Sequence, residues 1–235
     1  MFWDPSKSGL TRLALVALLV TGAASAAANV LVVRSSGPSA KGYPPGKSLP
    51  DNARIALRSG DTVVVLSGSG TRTFRGPGNF SPSAAVVAGN QTDPQGRRVR
   101  IGAVRGAAFL PTSPATIWQV DVSQSGTVCV PNARDVTLWR SDNSQASTLA
   151  ISGPGGASRQ VAWPAGASTL AWPSDLAIAD GAEYQLRQAS VAVPSSVRFK
   201  ALNAQPADLA GVAEVLIQNG CQEQLDLLVD TAPTQ

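Results

Sequence analysis

The sequence predicts a mainly β protein with a short α-helical tail at its C-terminal end. Short β-branched and aromatic runs, bounded by Gly, Pro, Ser and Asp, recur through most of the chain. A spacing of three and four between apolar residues appears only beyond Pro206. With 43% hydrophobic and 14% charged residues in 235, the composition suits compact folded units and excludes an acidic disordered tail or a fibrous helix.

Taken in order, the chain opens with Lys7 and Arg12, an apolar run at 13–20, and small residues at 21–28. That order is that of a secretory signal peptide. Ala24-Ser25-Ala26 and Ala26-Ala27-Ala28 offer cleavage sites near residues 26–28. The run is shorter than the roughly 20 residues that span a bilayer. Cleavage is therefore expected over an uncleaved anchor, giving a periplasmic or secreted protein that is not integral to the membrane.

Charge divides the remaining chain. Residues 29–105 hold eleven Lys/Arg against three Asp, a net +8, whereas 106–235 hold six basic against eleven acidic residues, a net −5. This asymmetry implies two units. The expected boundaries are a signal peptide at 1–28, a basic β-domain at 29–110, a β-sandwich at 111–203 and a helical tail at 204–235, with the Pro-rich stretch around Pro111 and Pro114 as connector.

In the basic unit, residues 30–33, 54–57, 61–66 and 71–75 read as strands, the last two joined by a hairpin turn at Ser67-Gly68-Ser69-Gly70. Residues 83–89 read as a helical turn or further strand. Leu49-Pro50-Asp51, Ile55, Leu57, Gly60-Asp61, the strand 62–66, Gly70, Thr73-Phe74 and Gly76-Pro77-Gly78 together resemble the periplasmic β-module of FecR-like proteins over about fifty residues. In that family the module follows a membrane helix and relays signals to a membrane-bound regulatory system. Here only twelve residues precede the apolar run, so the resemblance implies a β-module, with signalling as an accessory expectation.

The acidic unit has a denser strand rhythm, at 116–122, 127–130, 136–140, 147–151, 159–163, 168–172, 184–188 and 197–202. Short strands at this spacing suggest a β-sandwich. Leu176, Ile178 and Asp180-Gly181-Ala182-Glu183-Tyr184-Gln185-Leu186 resemble the tyrosine corner of immunoglobulin-like sandwiches. The resemblance implies that Tyr184 hydrogen-bonds to backbone upstream. Leu186 stands where that family carries its second disulfide cysteine.

In the tail, Leu209, Val212, Ala213, Leu216 and Ile217 predict one helix, with Pro206 in its first turn and Asn219-Gly220 closing it. Cys221, Leu225, Leu228 and Val229 predict a second. The tail is expected to pack on the sandwich. Cys129 and Cys221 are the chain's two cysteines. In an oxidising compartment an intramolecular disulfide is expected over a reactive thiol or an intermolecular bridge.

Catalytic chemistry finds little material. The chain has no histidine, which removes the commonest general base and metal ligand. Asp121, Asp135, Asp142 and Asp175 offer carboxylates, but no spacing selects a pair. Gly42-Tyr43-Pro44-Pro45-Gly46-Lys47-Ser48 is one residue short of a phosphate-binding loop, and its prolines remove amide donors. No catalytic, cofactor or metal site is therefore assigned.

The candidate ligand surface is Arg97, Arg98, Arg100 and Arg105, together with Trp163 and Trp172. The arginines suit an anionic lipid, a polyanionic glycan or the chain's own acidic half, against the plainer reading of a solvated basic loop. The two tryptophans flank the turn 165–167 and would form a sugar-stacking platform if exposed, although their parity with Val161 and Leu170 favours burial. The expectation is a non-enzymatic envelope interaction module with an envelope protein partner. Binding of an anionic or glycan surface is the alternative, and nucleic acid is not expected.

Overall fold

The computed structural model of the protein describes residues 29–82, 113–189, 191–202, 206 and 208–235. The expected signal peptide at 1–28, the segment 83–89 and the arginine run at 97–105 lie outside them.

The first unit contains β1 (Asn29–Ser36), β2 (Ser48–Pro50), β3 (Ile55–Leu57), β4 (Thr62–Ser67), β5 (Gly70–Arg75) and β6 (Gly78–Phe80). An antiparallel sheet runs β2-β1-β4-β5, and β3 pairs with β6 in a separate ribbon. β1 and β4 read as unbroken apolar runs because both faces are covered. Val30, Val32, Val63 and Val65 enter one core with Leu49, Ile55, Leu57 and Phe74. Leu31, Val33, Val64 and Leu66 face the opposite way, into a core shared with the C-terminal helices. A register shift between Val32 and Arg34 marks a bulge in β1, and it turns Arg34 toward those helices. β2 and β6 have no counterpart in the sequence reading. Each is three residues long, with Pro50 ending one and Gly78 starting the other.

Asp61 fastens the corner before β4. It is 2% exposed and accepts hydrogen bonds from the backbone N–H of Ser39 at 2.8 Å and of Arg58 at 2.5 Å. Gly37 passes so close that a Cβ there would meet Asp61 Oδ1 at 2.6 Å, and its φ of 98° suits glycine alone.

The second unit contains β7 (Gln119–Asp121), β8 (Gly126–Val130), β9 (Thr137–Trp139), β10 (Ser147–Ser152), β11 (Ser158–Trp163), β12 (Thr169–Ala171), β13 (Glu183–Gln188) and β14 (Ser195–Ala201). One sheet runs β11-β10-β13-β14-β8 and the other β12-β9-β7. Pairing is antiparallel except for β8 with β14 and β7 with β9. Inward residues of both sheets, among them Val120, Leu138, Ile151, Leu186 and Phe199, enclose a single core. The upstream hydrogen bond expected of Tyr184 is present, its hydroxyl donating to Ala177 O at 2.8 Å and accepting from Ala179 N–H at 3.1 Å. Trp172, Tyr184 and Phe199 meet edge to face, with centroids 5.2 to 5.4 Å apart. At one end of the sandwich the buried Arg140 donates to the carbonyls of Gln145, Pro164 and Ala167 and to the Ser147 hydroxyl, joining two loops.

The tail forms α1 (Leu209–Gln218) and α2 (Gln222–Thr231). Pro206 stands outside α1 rather than in its first turn. The helix starts after Asp208, whose carboxylate caps it by accepting from Gly211 N–H at 2.7 Å, a role for which Pro206 has no side-chain oxygen. Gly220, at φ 69°, lies between the helices. The tail does not rest on the sandwich alone. Ala213, Leu216, Leu225, Leu228 and Val229 pack against Leu31, Val33, Val64 and Leu66 of the first unit as well as Cys129 of the second. Beyond α2, Thr71 N–H donates to Pro233 O at 2.7 Å and Gln235 N–H to Thr71 O at 3.0 Å, so the last residues lie along β5. No helix among the described residues is long and apolar enough to cross a membrane.

Burial would raise the carboxyl pKa of Asp61, but the hydrogen bonds from Ser39 and Arg58 outweigh it and hold the group below its usual range. The Asp180 carboxyl is lowered first by Lys200, and that of Glu183 by Ser196 and Arg198. A carboxyl whose folded pKa is depressed stabilises the fold above its unfolded pKa, near 4, and that contribution disappears as pH falls through the folded value. With no histidine in the chain, no side chain titrates at its ordinary pKa between pH 5 and 7. The urea midpoint is therefore expected to stay level across that interval and to fall below about pH 4. Asp61→Asn should lower the neutral plateau and flatten the acid limb, and a transition between pH 5 and 7 would refute the assignment.

Candidate functional site

A cleft lies between β8 and α2, beside Cys129. The side chain of Cys129 is bonded to Cys221, 92 residues later in the sequence, with the two Cα atoms 5.8 Å apart. Cys221 immediately precedes α2, and Gln224 follows at a spacing of three, which puts both side chains on one helix face. Gln224 is 4% exposed and does for β8 what a neighbouring strand would do. Its Oε1 accepts from Cys129 N–H at 2.6 Å, while its Nε2 donates to Cys129 O at 2.9 Å and to Ile117 O at 2.7 Å.

Gln224 closes the outer edge of β8 at one residue only. Alternate residues of a strand present their backbone to the same edge, so Thr127 offers its N–H and C=O on the side that Gln224 covers at Cys129. No hydrogen bond among the described residues engages the Thr127 backbone on that side. Instead a cleft of about 230 Å³ opens there. Its apolar lining comes from Ile117, Val128 and Leu227, and its charged lining from Asp121, Glu223, Asp226 and Asp230.

Arg34 borders the cleft from the first unit. It meets Asp226 at 2.5 Å and Asp230 at 3.2 Å, and the hydrogen bond it donates to Asp226 is the main reason its guanidinium is held protonated even more firmly than usual. Asp121 is engaged locally by the N–H and hydroxyl of Ser123 at 2.9 and 2.6 Å. Glu223 projects from the first turn of α2 and is exposed. The lining therefore keeps a net negative charge after Arg34 is counted.

The expected disulfide is present. The tryptophan pair takes a different place from a surface platform. Trp163 ends β11 and Trp172 follows β12, strands that belong to different sheets, so the two do not share a hairpin. Trp163 is 1% and Trp172 8% exposed, with their indole N–H groups donating to Ala167 O at 2.9 Å and Leu176 O at 2.6 Å. Both rings are core, and Arg140 stacks on Trp163 at 4.9 Å. Arg97, Arg98, Arg100 and Arg105 lie outside the described residues. The four aspartates considered for catalysis are each occupied separately: Asp121 by Ser123, Asp135 by Asn132, Asp142 by Ser144 and Asp175 by Arg159. Among the described residues no three Asp, Glu or Cys side chains gather as a metal site.

A second concavity, of about 400 Å³, lies on the first unit. Lys47, Arg54 and Arg58 line it with Tyr43, and no carboxylate does. Lys47 donates to Gly42 O at 2.7 Å and lies 5.4 Å from the Tyr43 ring centroid.

Neither the cleft nor Gln224 was singled out by the sequence. The available signal was the spacing of Cys221 and Gln224, which becomes informative once the partner of Cys221 is known. Compared with protein-family models, curated proteins and solved structures, the chain matches none.

Replacing Gln224 by Leu keeps the volume but strips three hydrogen bonds from Cys129 and Ile117. An unmet buried backbone group costs about 1–3 kcal/mol, and the open cleft lets water relieve part of that cost, so a loss of about 3 kcal/mol is expected. Urea unfolding of the oxidised protein measures it, and a change under about 0.5 kcal/mol would show that the edge needs no cover.

Proposed function

We propose that the protein is an exported, non-enzymatic interaction module of the cell envelope. The observation that carries this reading is an open strand edge on the floor of an acidic cleft, next to a fixed disulfide. The leader-like first 28 residues support export, and the Cys129–Cys221 bridge fits an oxidising compartment.

An immunoglobulin-like assignment of the second unit draws support from its strand order. With β9, β10, β12, β13 and β14 taken as strands B, C, E, F and G, β10-β13-β14 reproduces the C-F-G sheet and β9-β12 the B–E pairing. The Tyr184 hydrogen bond adds to it, while the parallel pairing of β7 with β9 departs from an all-antiparallel sandwich. A FecR-like reading of the first unit rests on its glycine-turned β4-β5 hairpin beside β1, and a link to envelope signalling rests on that reading.

Crosslinking in intact cells, followed by purification of the exported chain, is expected to return a protein partner in stoichiometric yield. Recovery of the chain alone would count decisively against the module. A second reading, binding of an anionic glycan or lipid headgroup, is favoured by the concavity of Lys47, Arg54 and Arg58. It predicts retention on a sulfated-polysaccharide column that Arg54→Ala with Arg58→Ala shortens, and unchanged elution of that double variant would dismiss it.

A further inference from the structure

We propose that the free edge of β8 and the first turns of α2 form a docking groove for an extended, basic segment of a partner protein. This rests on the interaction reading above and specifies its surface and the chemistry of its partner. The groove supplies the three elements that strand addition needs.

The first element is an unused backbone. The Thr127 N–H and C=O face outward with no hydrogen-bond partner among the described residues, and the next outward-facing residue, Cys129, is covered by Gln224. A short stretch of β8 from Gly126 to Val128 can therefore accept an added strand before Gln224 stops it. Main-chain hydrogen bonds of this kind give affinity without regard to sequence, and alternate side chains give specificity.

Side-chain pockets are the second element. The two faces of β8 lead to different surroundings, since Val128 and Val130 point into the sandwich core and Cys129 into the core shared with the helices. Side chains of an added strand alternate in the same way. One set would meet Ile117 and the sandwich rim, and the other would meet α2, where Leu227 lies between carboxylates.

Charge, the third element, decides what occupies the groove. Glu223, Asp226 and Asp230 stand along one wall and Asp121 opposite. Arg34 offsets part of this charge but stays half-exposed. An acidic or neutral strand would leave the carboxylates facing one another, whereas Arg or Lys at alternate positions would complement them. The fitting segment is therefore short and extended, alternating basic with apolar residues.

The test uses the full exported, oxidised chain and a fluorescein-labelled Arg-Val-Arg-Val-Arg-Val peptide, followed by fluorescence anisotropy at low salt. Binding is expected, with the Thr127 amide becoming slower to exchange. Glu223→Lys should weaken it about tenfold and Glu223→Gln by a smaller factor, and this exposed position leaves the core unaltered. Backbone N-methylation of the peptide keeps every charge and removes the donors, so it too should weaken binding about tenfold. Equal affinity for the N-methylated peptide, or for Glu-Val-Glu-Val-Glu-Val, would overturn strand addition. Tighter peptide binding by a variant with Arg97, Arg98 and Arg100 changed to Ala would identify the chain's own arginines as the occupant and overturn the partner assignment. Absent peptide binding alongside a stoichiometric crosslinked partner would overturn the groove alone, whereas absence of both would remove the interaction reading with it.

Discussion

Cys129 is held by its side chain and its backbone at once, and both restraints come from one turn of α2. The disulfide to Cys221 closes a span of 92 residues. In the loop-entropy picture such a closure contributes at most about 4.6 kcal/mol, less any native strain. Gln224 adds two hydrogen bonds to the same residue. The bridge restricts the unfolded chain, while the glutamine fixes the angle at which α2 meets β8. Together they set where the first unit can sit, because the opposite side of the helix pair carries its apolar contacts with β1 and β4.

That arrangement makes the helical tail a layer between two β-units. The opposite charges of the two halves play a small part in holding them together. Arg34 with Asp226 and Asp230 is the ion-pair contact that joins the halves among the described residues. Asp175, Asp180 and Glu183 are paired within their own unit, with Arg159, Lys200 and Arg198. Exposed pairs contribute about 0–1 kcal/mol each. Burying a single Leu or Val side chain contributes about 1.5–3 kcal/mol, and eleven buried residues form the core that joins strands and helices. Apolar contact therefore dominates the junction, and the charge asymmetry remains available to steer partners.

Much of this architecture was legible in the sequence, and the rest was hidden for identifiable reasons. The eight strands of the sandwich and both helices announced themselves by period and by punctuation. β2 and β6 did not, because three residues carry no periodicity and only pairing with β1 and β3 makes them strands. The unbroken apolar runs of β1 and β4 signalled burial on both faces, yet nothing local says that the second face meets helices more than 140 residues away. Trp163 and Trp172 looked like neighbours because a short turn separates them, but that turn crosses from one sheet to the other. Gln224 was invisible because a glutamine in a helix is ordinarily a solvated residue.

The way the buried polar groups are engaged connects this architecture to the proposed role. Among the described residues, Asp61, Thr71, Arg140, Ser195 and Gln224 are the buried polar side chains, and each is bonded to the protein's own backbone or loops. Asp61 holds the β4 corner, Arg140 joins two loops of the sandwich, Ser195 donates to Val122 O and Gln224 covers Cys129. Thr71 is taken up by the last residues of the chain. What stays open beside them, among the described residues, is backbone at Thr127, in a cleft whose carboxylates are only partly neutralised by Arg34. A surface of that kind can recognise the shape and charge of an extended chain. The proposed recognition of an extended chain would draw on that backbone and on the carboxylates beside it.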